Sequence, residues 1–130
     1  MEPVWQSQAD GDPMFYASAA VTDDVVVFAG RDNVVRALNV ADGAPLWTFS
    51  TRGDVDSSPV VAGDRIFFGS KDGNVYSVDI EDGSRKWFFE TGAPISSSPT
   101  VGQGRLVIGT EDGVLYCFGA GQGGVRGGSE

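Results

Sequence analysis

Residues 57–90 read SSPVVAGDRIFFGSKDGNVYSVDIEDGSRKWFFE. Four short β-like runs stand in this stretch: Ser57 to Val61, Arg65 to Gly69, Asn74 to Ile80 and Arg85 to Glu90. The gaps hold Gly63-Asp64, Lys71-Asp72-Gly73 and Glu81-Asp82-Gly83. Asp-Gly is a hairpin signal because glycine takes positive φ without steric cost, so the runs read as strands joined by tight turns. Ile66 to Phe68 is apolar at successive positions, which requires a sheet covered on both faces.

The same pattern recurs when the chain is slid against itself by 40 residues, without a gap from Val21 to Phe118. Trp47 falls on Trp87, Asp42-Gly43 on Asp82-Gly83, Ser58-Pro59 on Ser98-Pro99, and Lys71-Asp72-Gly73 on Glu111-Asp112-Gly113. In the first copy Asn33 takes the turn glycine's place, and Asn is the next best tolerated residue at positive φ. Trp5 stands 42 residues before Trp47, the two extra residues fitting a loop insertion at Ala9 to Met14. Repeated four-stranded units, each covered by its neighbours, predict an all-β fold of β-propeller blades. No period of 3.6 competes.

The turn Asp-Gly-x-x-x-Trp, Asp42 to Trp47 and Asp82 to Trp87, follows an alternating Tyr-x-Val-x-x strand, and Ser-Ser-Pro opens the innermost strand. This signature resembles the pyrroloquinoline quinone (PQQ) propeller family from Val4 to Phe118. The resemblance implies the fold and leaves two kinds of function open. Relatives include quinone-dependent dehydrogenases and non-enzymatic scaffolds such as the propeller lipoprotein of the outer-membrane β-barrel assembly machine. The dehydrogenases carry adjacent cysteines beneath the quinone and acidic residues that bind calcium. Here Cys117 is the only cysteine. The reading is therefore a non-catalytic scaffold or binding module without a cofactor. The alternatives are a dehydrogenase-like propeller or one that binds calcium or carbohydrate.

Domain boundaries follow from the repeat. Residues 1–118 form a three-blade unit, with residues 4–8 as a strand completing a blade and blades at about 15–50, 55–90 and 95–118; residues 119–130 form a flexible Gly-rich tail. Propellers close with roughly four to eight blades. Three blades leave faces and an edge open, so a homodimer with strand exchange, closing a six-bladed ring, is expected; a piece of a longer propeller is the alternative.

The net charge of −9 opposes nucleic acid and anionic membranes. No apolar stretch reaches the roughly 20 residues of a membrane helix. Only Lys71 and Lys86 are lysines while Asp is abundant, which resembles proteins of salt-loving microbes, ordinary solubility charge being the alternative. Met1 to Gln8 lacks the basic start and apolar core of a secretion signal, so a cytoplasmic location is expected unless a leader was removed.

Candidate site residues divide by role. Trp5, Trp47 and Trp87, with Gly43 and Gly83, read as structural contacts between blades, because an aromatic at each repeat packs a joint rather than a ligand. Asp10, Asp12, Asp32, Asp54, Asp56, Asp72 and Asp112 fall on loops sharing one face. They form an acidic rim for a cation or a basic partner, with solvated charge as the alternative. No catalytic residue or metal ligand is assigned, and without histidine no hydrolytic triad forms. Ser18, Ser57, Ser58, Ser96, Ser97 and Ser98 are expected to line the central channel. Cys117 reads as a small buried filler. Gly119, Gly121 and Gly124 match a dinucleotide-loop spacing, but no helix follows.

Overall fold

The computed structural model describes residues 1–9 and 14–119. Its strands fall into three antiparallel sheets. The first sheet runs β1 (Ala20–Val21), β2 (Val25–Ala29), β3 (Val34–Asn39) and β4 (Pro45–Ser50) in that order. The second runs β5 (Val60–Ala62), β6 (Arg65–Gly69), β7 (Asn74–Asp79) and β8 (Arg85–Glu90). The third holds β9 (Thr100–Gly102), β10 (Arg105–Gly109) and β11 (Leu115–Gly119), with β11 on its outer edge. Each sheet is one blade, and every connection within it is a hairpin between neighbours.

Alternation along the strands explains the stacking. On β6, Ile66 and Phe68 join Val27, Val35 and Trp47 of blade 1 in one core. Phe67, between them, packs with Ile95, Leu106 and Ile108 of blade 3 in a second core. Phe68 is fully buried and meets Phe49 edge-on at 5.9 Å. Burial of such a side chain stabilises by roughly 1.5–3 kcal/mol. The central blade is therefore apolar on both faces, as its unbroken Ile-Phe-Phe run requires.

The turns follow the residues the sequence offers. Asn33 has φ of 72°, the left-handed conformation expected where the other repeats carry glycine. After β3 and β7 the chain reverses through Asp42-Gly43 and Asp82-Gly83. The Asp carboxylates accept the N–H groups of Ala44 at 3.0 Å and Ser84 at 2.9 Å. The register of β3 with β4 shifts between Ala37 and Leu38, and that of β7 with β8 between Ser77 and Val78. Both irregularities lie beside the pairs Ala37–Trp47 and Ser77–Trp87, where a bulge increases local twist.

Residues 4–8 pair with no strand among the described residues. Two sequence expectations are corrected. The innermost strand of blade 2 begins at Val60 rather than Ser57, because Ser57 Oγ and the Ser58 N–H bond to other elements and Pro59 has no N–H to give. Cys117 is half-buried on β11, whereas Ala37 and Ser77 at the same repeat position are fully buried. In the described residues blade 3 has no fourth strand and no following blade to cover that position. The tail at residues 119–130 lies outside the described residues except Gly119, which ends β11.

Candidate functional site

The loops before the innermost strands touch the β2–β3, β6–β7 and β10–β11 turns, the N–H groups of Arg31, Lys71 and Glu111 donating to the carbonyls of Met14, Asp54 and Pro94. There the acidic residues do not stand free. Arg31 donates through Nε and Nη2 to the two carboxylate oxygens of Asp56, at 2.9 and 3.0 Å, a bidentate pair that ties blade 1 to blade 2. Lys71 Nζ stands 3.7 Å from Asp56 Oδ2 and 3.7 Å from Glu111 Oε2, carrying the chain of charge to blade 3. At the other end the Arg31 guanidinium lies 4.0 Å above the ring of Tyr16. The Ser96 hydroxyl donates to Glu111.

The carboxylates of Asp32, Asp72 and Asp112 are also occupied. Asp32 is paired with Arg36, whose Nη1 donates to Oδ1 at 3.1 Å. Asp72 accepts the Arg52 N–H at 3.1 Å, the Asn74 N–H at 2.9 Å and the Tyr76 hydroxyl at 2.6 Å. Asp112 accepts from the Thr110 hydroxyl. Asp54 takes part through its main chain, its carbonyl oxygen accepting the Lys71 N–H at 2.9 Å. Asp10 and Asp12 lie outside the described residues. Thus Asp56 is brought into one network with Arg31, Lys71 and Glu111, while Asp32 and Asp112 bond within their own hairpins and Asp72 also holds the Arg52 N–H of the connection between blades 1 and 2. Among the described residues no three His, Cys, Asp or Glu side chains converge as a metal group.

The electrostatics follow from these pairs. The Arg31 hydrogen bonds hold the Asp56 carboxyl below the usual carboxylate range, and Lys71 adds to the effect. Arg36 does the same for Asp32, and Asp56 in turn raises Arg31. Burial, reinforced by the hydrogen bond to Asp72, pushes the Tyr76 phenol up to about 12. Reading carboxylates alone missed this network. Its signal was the set Arg31, Lys71 and Glu111, one 40-residue step apart and all charged.

The tryptophans lie between neighbouring blades. Trp5 Nε1 donates to the Val40 carbonyl at 2.9 Å, and Trp47 Nε1 to the Ile80 carbonyl at 2.9 Å. Their indoles lie against Gly43 and Gly83. Trp87 meets Phe118 edge-on at 5.1 Å. The serines divide between two roles. Ser57 is buried and its Oγ accepts the Gly69 N–H at 3.0 Å, so it does not line a channel. Ser58 and Ser98 instead link blades: the Ser18 N–H donates to Ser58 Oγ and the Ser58 N–H to Ser98 Oγ, each at 2.8 Å.

Stacked antiparallel sheets, two of four strands and one of three, with a tryptophan at each joint define a β-propeller of the PQQ type. The family model described as outer membrane protein assembly factor BamB matches residues 2–126, and the chain belongs to that family. Among solved structures it is similar to the quinohemoprotein alcohol dehydrogenase ADHIIG from Pseudomonas putida HK5. That match has a TM-score of 0.80 and 25% identity over 91% of this chain and 21% of that one. BamB from Moraxella catarrhalis gives a TM-score of 0.74 and 19% identity over 91% of this chain and 37% of that one. The computationally designed Ika4 protein gives 0.70 and 17% over 79% and 64%. The chain therefore spans only part of each. No curated protein sequence matches it.

Proposed function

We propose that this chain is a non-catalytic propeller scaffold, working within a closed ring and presenting its charged loop face to a protein partner. The observation that carries the reading is the ladder Tyr16, Arg31, Asp56, Lys71, Glu111. Its carboxylates and cations neutralise one another across both joints, which fixes side chains in place and suits a rigid recognition surface. Membership of the family described as BamB supports the same reading.

The likeness to a quinohemoprotein alcohol dehydrogenase favours a second reading, a quinone-binding propeller. Among the described residues, those of the loop face do not fit that cofactor. The loop-face carboxylates Asp32 and Asp56 are held by Arg36 and Arg31, and the chain's single cysteine, Cys117, sits opposite Val107 on the outermost strand of blade 3.

Titration of the protein with pyrroloquinoline quinone and calcium, followed by tryptophan fluorescence and by quinone-dependent dye reduction with alcohols and sugars, separates the two. The scaffold reading expects no saturable quenching and no turnover. Saturable quenching with dye reduction would replace it by the dehydrogenase-like reading.

A further inference from the structure

The outermost strands of blades 1 and 2 share their inward side chains and differ at every outward one. Trp47 and Phe49 on β4 recur unchanged as Trp87 and Phe89 on β8. The exposed positions change from Pro45, Leu46, Thr48 and Ser50 to Arg85, Lys86, Phe88 and Glu90. Blade 2 lies between the other two, which cover both of its faces. What its rim carries is therefore independent of the outer faces of blades 1 and 3.

The rim of blade 2 is a strand with one free side, because β8 ends its sheet. The Thr91 N–H donates to the Gly73 carbonyl at 2.8 Å. Backbone groups alternate along an antiparallel strand, so those of Phe89 and Trp87 also face β7 while those of Phe88 and Glu90 point away from it. Phe88 is 39% exposed, and the Arg85 guanidinium lies 4.4 Å above its ring. Among the described residues Arg85, Lys86 and Glu90 form no salt bridge. Lys86 is the extra residue where the register shifts: Ser77 pairs with Trp87 and Val78 with Arg85, which leaves Lys86 opposite nothing on β7. A lysine and a bulge are devices that blunt an edge. Here both stand at the start of the strand. The regular ladder beyond them, Trp87 to Glu90, carries three aromatic rings without proline or glycine, a composition that favours pairing of strand with strand.

The order of charges selects the occupant. Lys86, Phe88 and Glu90 stand at steps of two, as cation, ring and anion. An antiparallel strand of the same order sets an anion opposite Lys86, a ring opposite Phe88 and a cation opposite Glu90. Among the described strands only β8 itself has that order.

We propose that β8 pairs with β8 of a second copy of this chain, antiparallel about a two-fold axis through Phe88. The two Phe88 N–H groups then donate to one another's carbonyl oxygens. Each Lys86 faces Glu90 of the other copy, and each Trp87 lies across from Phe89 of the other copy. The rim pairing is separate from the loop face, so its failure leaves the scaffold reading untouched, and quinone binding has no bearing on it.

Light scattering over a dilution series, starting at the solubility limit, tests the pairing with wild type, K86E, E90K and the double variant K86E/E90K. All of them keep the inward side chains of β8. Wild type is expected to show twice 13.6 kDa and to fall to the single mass on dilution. Either single reversal sets like charges opposite one another at both Lys–Glu pairs. Each is expected to move the dissociation midpoint to about tenfold higher concentration, and the double variant to restore the wild-type midpoint. That restoration cannot come from damage to the fold. Three results overturn the proposal: a single-chain mass for wild type at every concentration, which leaves the edge to an unlike strand; an unshifted midpoint in a single reversal, which places any association elsewhere on the chain; or a double variant no better than the singles.

Discussion

Trp47 of blade 1 donates its indole N–H to the carbonyl oxygen of Ile80 in blade 2 at 2.9 Å. The bond lies beside the turn that begins blade 2's outermost strand, so the last strand of one blade reads the last turn of the next. Trp5 makes the same bond to Val40. A hydrogen bond and a large buried ring in one residue fix both the spacing and the rotation of neighbouring blades, which area burial alone leaves free.

That geometry predicts a large effect from one methyl group. A Cβ on Gly83, whose φ is 73°, would lie 2.5 Å from two ring carbons of Trp47. The left-handed conformation costs an L residue roughly 1–2 kcal/mol, and overpacking adds roughly 1–3 kcal/mol. Gly63, with φ of 64° and nothing within 4 Å of the same position, isolates the first part. Urea unfolding is expected to show G83A losing clearly more stability than G63A. Equal losses would mean that the indole shifts aside freely.

Ser77 supplies a prediction of opposite sign. It is fully buried, and its Oγ has no hydrogen-bond partner. The first repeat places Ala37 at this position, also fully buried. Removing an unsatisfied hydroxyl from a site that already suits alanine recovers a desolvation cost of about 1 kcal/mol. S77A is therefore expected to raise the urea midpoint with an unchanged slope, and a lower midpoint would show that the hydroxyl is satisfied in solution.

Much of this was legible in the sequence because repetition amplifies weak local signals. Asp42-Gly43 or Trp47 alone says little; each seen again 40 residues on, at Asp82-Gly83 and Trp87, fixes strand order, turn position and the joint role of the indole together. What repetition could not reveal were contacts that differ between copies. Asp56 has no acidic counterpart at Ser96, and the partners that engage it, Arg31 and Lys71, come from different blades. Ser57 looked like a channel residue because small polar side chains suit an axis. It turns inward to the Gly69 N–H because the strand starts three residues later than its serines suggest.

Tyr76 gives a spectroscopic prediction. Its phenol is pushed up to about 12 by burial and by donation to Asp72 at 2.6 Å. An unfolded tyrosine ionises near about 10. Stability from this group is therefore complete below about pH 10 and declines as pH rises towards 12, since the unfolded chain releases the proton first. An absorbance titration near 295 nm is expected to show a late phenolate step that is absent from Y76F. Loss by Y76F of a step at the ordinary tyrosine value near about 10, with no late step in wild type, would mean that the hydroxyl is solvated.

The ladder predicts acid sensitivity, and the sign follows from the direction of the shifts. Asp56 and Asp32 both have folded values depressed by arginine hydrogen bonds. Each therefore contributes stability that is present above the ordinary carboxylate value near about 4 and lost as pH falls through the lower folded value. Asp56 is the better probe because it is mostly shielded, at 13% exposure, and holds two cations from different blades. D56N keeps the shape but cannot carry the charge. Its melting temperature at pH 7 is expected to fall below wild type, while its further drop between pH 5 and pH 2 becomes shallower. Concentrated salt should narrow the gap at pH 7, because Arg31 is 39% exposed and the pair is open to screening. Melting curves that stay parallel for the two proteins across this range would show that the ladder adds nothing to stability, leaving surface recognition as its one role.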